Sequence, residues 1–172
     1  MARPIKADSA DFTKDEFYLI QTSGPDQRYV ASFQDKSKIH RFMTDFINKV
    51  EDEVEVRIIE FDESQQPIQY SGIIQKTELL SIVAIHDEVI FHHGKYDFML
   101  RNSQTEEYFA FDEHGLLFIY TDQDYSEVLH QLGAERRQDE PLIYEYDHWH
   151  IGLPEGEEKF AALINDSNLE QD

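Results

Sequence analysis

The chain is expected to fold as α+β, with a mainly antiparallel sheet, a meander over 88–121 at its centre, and about four helices packed on one face. Three patterns lead to this expectation. Ile39, Phe42, Met43, Phe46, Ile47 and Val50 fall at i, i+3, i+4, i+7, i+8 and i+11, which lays one apolar stripe along a helix. Val54, Val56 and Ile58 alternate with Glu53, Glu55 and Arg57, the period-two pattern of a half-exposed strand. From residue 88 onward, short apolar runs are separated by turn-forming residues at the spacing of antiparallel hairpins.

In chain order, Phe17-Tyr18-Leu19-Ile20 and 28–33 flank Ser23-Gly24-Pro25-Asp26, whose Gly-Pro-Asp is turn chemistry, and together predict an opening hairpin. The striped helix runs from Ser37 to Val50, and the alternating strand at 53–61 pairs with 68–73 across a polar loop. Residues 77–85 are too uniformly apolar for periodicity to decide; Thr77 as an N-cap favours a short buried helix. The meander strands are 88–92, 96–101, 106–111 and 116–121, joined by His93-Gly94-Lys95, by Asn102-Ser103-Gln104-Thr105 and by Asp112-Glu113-His114-Gly115. Asp122 caps a helix carrying Tyr125, Val128, Leu129 and Leu132, and Gly133 supplies its left-handed stop. Residues 142–146 read as a strand. Pro154 ahead of Glu155, Glu157 and Glu158 opens a final helix that turns Phe160, Leu163 and Ile164 inward. One domain is expected over 1–172, with ends fraying at about 1–11 and 166–172.

At 172 residues, folding buries about 68–70% of the surface the unfolded chain exposes, enough for a core without disulfides or metals. Twelve Phe and nine Tyr separate the chain from disordered acidic polymers. With no cysteine, thiolate catalysis, disulfides and cysteine zinc ribbons are excluded. The first eight residues lack the apolar stretch of a signal peptide, and no run reaches the roughly 18 apolar residues of a membrane span, so a cytoplasmic location is expected. The seven glycines form no phosphate-cradling pattern, and neither Gly-x-Ser-x-Gly nor His-Glu-x-x-His occurs, so no cofactor is expected.

Charge is the dominant compositional signal. Asp and Glu number 36 against 15 Lys and Arg, a net charge of −21, and residues 87–172 alone hold 21 acids and five bases. Direct binding to nucleic-acid phosphates depends on Lys and Arg displacing counterions, so this balance excludes it and favours a basic protein as partner.

Six of the eight histidines lie from His92 onward. His148 and His150 flank Trp149; on a strand, positions i and i+2 share a face, so the two imidazoles can converge on one metal ion. With Glu155 after four intervening residues, the spacing resembles the HxH-x4-E ligand pattern of cupins over this fragment alone. Leu142 stands where cupins place glycine, and no histidine follows His150. The bland alternative is a partly exposed aromatic cluster whose histidines bond to acids such as Asp147. A second metal or acid–base candidate pairs His93 with His114, near Asp112, because the first and third turns of a meander lie at the same end of a sheet. Paired carboxylates such as Asp112-Glu113 are too numerous to single out any one.

Aromatic and acidic residues interleave most densely at Tyr144, Glu145, Tyr146, Asp147 and Trp149. Tyr and Trp bury much area at low entropy cost, and neighbouring carboxylates steer a cation toward them, so this segment is the candidate interface. The same alternation also fits an edge strand with one aromatic face in the core. Size, acidity and missing catalytic motifs are similar to those of bacterial immunity proteins and DNA-mimic antirestriction proteins. That likeness implies a non-enzymatic inhibitor that occludes a basic protein partner. The alternative expectation is a metal-dependent enzyme or sensor built on the clustered histidines.

Overall fold

The computed structural model of the protein describes residues 2–4, 16–23, 26–50, 52–61, 67–145, 148–150 and 152–172. The elements, in chain order, are β1 (Ala2–Pro4), β2 (Phe17–Ser23), β3 (Asp26–Ser32), α1 (Lys36–Lys49), β4 (Glu53–Glu60), β5 (Ile68–Gln75), α2 (Lys76–Ile85) and α3 (Asp87–His92). There follow β6 (Tyr96–Arg101), β7 (Tyr108–Phe111), β8 (Leu116–Thr121), α4 (Ser126–Gln131), β9 (Glu135–Arg136), a 3₁₀ turn (Ile143–Glu145), β10 (His148–His150), α5 (Gly156–Ser167) and β11 (Glu170–Gln171). Nine strands form one sheet in the order β11-β5-β4-β6-β7-β8-β3-β2-β9, antiparallel except where β9 runs parallel to β2. A separate two-stranded ribbon pairs β1 with β10.

The α+β expectation therefore holds, in a form weighted toward the sheet, with five helices among the described residues. Residues of all five join one core with alternate residues of the strands, including Val56 and Ile58 of β4, Phe98 and Leu100 of β6, and Phe109 and Phe111 of β7. Alternation turns the residues between them to the opposite face. Part of that face is roofed by Leu142 and Ile143, which pack with Phe17, Leu19, Val30 and Leu116 in a second apolar cluster. Among the described residues, no helix packs on the central part, over β4, β6 and β7.

α1 forms as its stripe predicts, with the Asp35 carboxylate accepting from the Ser37 N–H at 2.9 Å, and Ile39, Met43 and Ile47 fully buried. Elsewhere the structure corrects the expectation. Residues 87–92 form α3 and not the first meander strand; Val89, Ile90 and Phe91 are consecutively buried, and such a short apolar run carries no period that separates helix from strand. The meander is thus three-stranded, and β4 occupies the place beside β6. α2 begins at Lys76 with Gln75 at its cap, so Thr77 sits inside the first turn. Asp124, not Asp122, accepts from the Ser126 N–H at the start of α4, at 2.8 Å. Gly133 does take the left-handed conformation after α4, at φ 91°.

Residues 143–145 form a 3₁₀ turn and not a strand. Parts of both ends expected to fray are paired. Residues 2–4 are paired as β1, and after α5 a left-handed Asn168 turns the chain so that Leu169 is buried and β11 pairs with β5. Within 1–11, residue 1 and residues 5–11 lie outside the described residues, as do Gly24 and Pro25 of the opening turn. Among the described residues, no helix is long and apolar enough to cross a membrane.

Candidate metal centre

The turn between β7 and β8 is built by local hydrogen bonding. Asp112 Oδ1 accepts from the Leu116 N–H at 2.7 Å, and the Asp112 carbonyl accepts from the Gly115 N–H at 2.9 Å. Gly115 lies at φ 84°, a conformation that glycine adopts without a steric penalty. From below, Lys36 Nζ donates to the carbonyls of Gly115 (3.2 Å) and Phe33 (3.3 Å), which braces the turn against the start of α1. Lys36 is only 8% exposed, and burial pulls its amine down to about 8 although the Asp112 charge works the other way.

On β6, Asp97 points away from the helices and accepts from the Glu113 N–H at 2.9 Å. Burial pushes its carboxyl up to about 7; the hydrogen bond from Glu113 opposes the rise, while the neighbouring charges of Asp112 and Glu113 add to it. Four acidic or imidazole side chains, Asp97, Asp112, Glu113 and His114, are thereby held around one hairpin end.

The ribbon brings the fifth. β10 carries His150 to this turn, where its Nδ1 lies 3.4 Å from Glu113 Oε2 and its ring meets that of His114 edge-on, centroids 5.0 Å apart. One donor atom each from Glu113, His114 and His150 fall within 4.8 Å of one another. Around a zinc ion with bonds near 2.1 Å, tetrahedral ligand atoms stand about 3.4 Å apart. The His150–Glu113 separation already has that length, and the remaining donors close it with side-chain rotation of about 1 Å.

His114 is also oriented as a ligand would be. Its Nδ1 lies 3.0 Å from Asp112 Oδ2, and an imidazole whose Nδ1 proton is held by a carboxylate presents its Nε2 lone pair to a cation. Burial disfavours the charged ring, but the hydrogen bond and charge of Asp112, with those of Glu113 and Asp97, outweigh it and hold the pKa above the ordinary histidine value.

The residues proposed from sequence fall in different places. His114 and His150, each expected to pair with another histidine, meet each other. His93 takes no part: it ends α3, its Nδ1 accepts from the Leu153 N–H at 3.0 Å, and its ring packs against Tyr96. A Cβ on Gly156 would lie 2.3 Å from that ring, so the glycine is what admits it beneath the start of α5. Burial lowers the His93 pKa. Glu155, fifth after His150, is not in the cluster; the carboxylate there is Glu113. His148 and Trp149 are described only as backbone of β10, and their side chains, with Tyr146 and Asp147, lie outside the described residues.

Of the interface candidates, Tyr144 is 44% exposed and its ring stands edge-on to His114 at 6.0 Å, while Glu145 is exposed and accepts from the Leu142 N–H at 2.8 Å. The histidine cluster and the aromatic candidate are therefore neighbours. Sequence reasoning did not single out Glu113 as a candidate ligand or Asp97 as its support; the only signal for Asp97 was the period of β6, which sets it on the face opposite Tyr96 and Phe98. No protein-family model, no curated protein and no solved structure matches this chain.

Proposed function

We propose that this protein binds a divalent transition-metal ion, with zinc the best match, through Glu113, His114 and His150. The carrying observation is the convergence of these three donors within 4.8 Å, with Asp112 on the far nitrogen of His114. A carboxylate and two imidazoles suit zinc better than magnesium or calcium, which favour oxygen alone. Among the described residues three side chains supply the donors, a set of the kind that catalytic zinc sites use. An enzyme or sensor role is the reading that this mixed carboxylate and imidazole set supports.

The test is a zinc titration of metal-stripped protein. At a free zinc concentration of about 100 times the dissociation constant, stabilisation is about 2.7 kcal/mol, which for a chain of this size raises the melting temperature by about 5–10 °C. A chelator should reverse it. A melting temperature that zinc, cobalt and nickel all leave unchanged would sink the reading.

A second reading has its own support: Tyr144 is exposed beside Glu145 in a chain of net charge −21. On this reading the protein is an acidic, non-enzymatic binding module that covers a basic protein as immunity proteins do. The basic partner should then be recovered at low salt, be released as ionic strength rises, and be lost from Tyr144→Ala. Recovery that is indifferent to salt and to Tyr144 speaks against it.

A further inference from the structure

The face of the sheet opposite the helix-packed core carries an arrangement that neither reading uses. Cross-strand pairing aligns Arg28 of β3, Tyr120 of β8, Tyr108 of β7 and Arg101 of β6 in one row, with Met99 and Arg57 paired in the next. Arginine is scarce in this chain, yet three arginines share this one surface. We propose that this face receives an extended acidic segment of a partner protein, in which Asp or Glu alternates with apolar side chains.

The chemistry for carboxylates is present. Arg57 and Arg101 are about two-fifths exposed, at 42% and 41%, and border a depression of about 230 Å³ whose walls include Met99 and Tyr108. Two guanidinium forks side by side present paired N–H donors in the geometry that carboxylates accept. The Arg57 Nε donor is buried and has no acceptor among the described residues. Arg28 lies over Phe118 and Tyr120, 5.4 and 5.7 Å from their centroids, and donates to the Tyr120 hydroxyl at 3.1 Å and to Gln21 Oε1 at 3.0 Å. Against these three cations stand Glu55, 3.3 Å from Arg101 and 3.8 Å from Arg57, Glu106, which also pairs with Arg101, and Asp172, whose carboxylate accepts from Ser71 Oγ at 2.7 Å beside Arg57. Asp97 is turned to the hairpin end and accepts from the Glu113 N–H.

Apolar contact adjoins the cations. Tyr108 and Tyr120 meet edge to face at 5.4 Å, and beyond Glu55 the row ends on Ile73, which is 70% exposed. The remaining acidic surface favours a short peptide over a nucleic acid. Charges of either kind are screened over roughly 8 Å, so a short peptide can keep its carboxylates over the arginines, whereas a longer polyphosphate extends past them onto acidic surface. Repulsion elsewhere on the molecule also confines an acidic segment to this face.

The experiment titrates the full chain into a labelled, amidated hexapeptide of alternating Glu and Val and follows anisotropy. Parallel titrations use the Gln–Val peptide and a single-stranded oligothymidylate. The Glu peptide should bind, weaken at least about tenfold when salt rises from about 50 to about 300 mM, and weaken at least about tenfold in Arg57→Gln/Arg101→Gln. The double Lys variant should keep part of the affinity and guard against misfolding, and His114→Ala should keep all of it, which separates this face from the metal centre. Equal binding of the Gln peptide, unchanged affinity in the Gln variant, or binding of the oligonucleotide alone would overturn the proposal. Sedimentation that reveals self-association lost in the Gln variant would overturn it too, since the occupant would then be a second copy of this chain.

Discussion

Replacing His114 with Ala should lower zinc affinity by at least about 100-fold and cancel the zinc-dependent rise in melting temperature, because it removes one of the three ligands found among the described residues. Calorimetric titration of the metal-stripped variants reads this directly. Asp112→Asn keeps the ligand set but loses the carboxylate that fixes the His114 ring, and should cost about 10–100-fold. Part of any change in this variant comes from the turn, since Asp112 Oδ1 also holds the Leu116 N–H. Asn keeps an acceptor there, so the turn should survive. His93→Ala is the informative control: that ring bonds to Leu153 and fills the space under Gly156, so its loss should destabilise the fold and leave zinc affinity unchanged. If His114→Ala bound zinc as tightly as the parent, the metal reading would fall.

Phe109→Ala should cost about 3–5 kcal/mol, the range for deleting a buried aromatic ring whose cavity cannot close. Phe109 is fully buried on β7, in the middle of the sheet, where its ring lies 5.7 Å from Phe42 in a stacked arrangement and 5.8 Å from Phe46. Both partners belong to α1, so the ring is the link between the longest helix and the central strands. Sheet on one side and helix on the other are both fixed by many further contacts, which prevents collapse into the void. Urea denaturation at constant slope measures the loss. Tyr120→Ala, on the half-open face beside it, should cost much less; equal costs would mean that the core does not centre on Phe109.

How much was legible follows from period and distance. The stripe of α1 and the alternation of β4 span several repeats, and both elements lie where those repeats place them. At 87–92 and 143–145 the runs are shorter than the patterns needed to read them, and tertiary packing decided. His114 and His150 were visible as candidates, but their meeting was not. It depends on β1 pairing with β10 and on the ribbon reaching the β7–β8 turn, neither of which leaves a local mark. Glu113 was hidden for another reason: among so many carboxylates, only position in space distinguishes it.

The strand order has a kinetic implication. The β2–β3 and β4–β5 hairpins flank β6–β7–β8, so two early-synthesised hairpins find their neighbours only when a later segment arrives, as in the pairing of Val30 with Phe118. Until then each bears an unpaired edge and an uncovered greasy side, the condition under which nascent chains stick to one another. The chain up to residue 86 holds only 15 acids against ten bases, so most of the charge that keeps molecules apart arrives with the same later segment that completes the sheet.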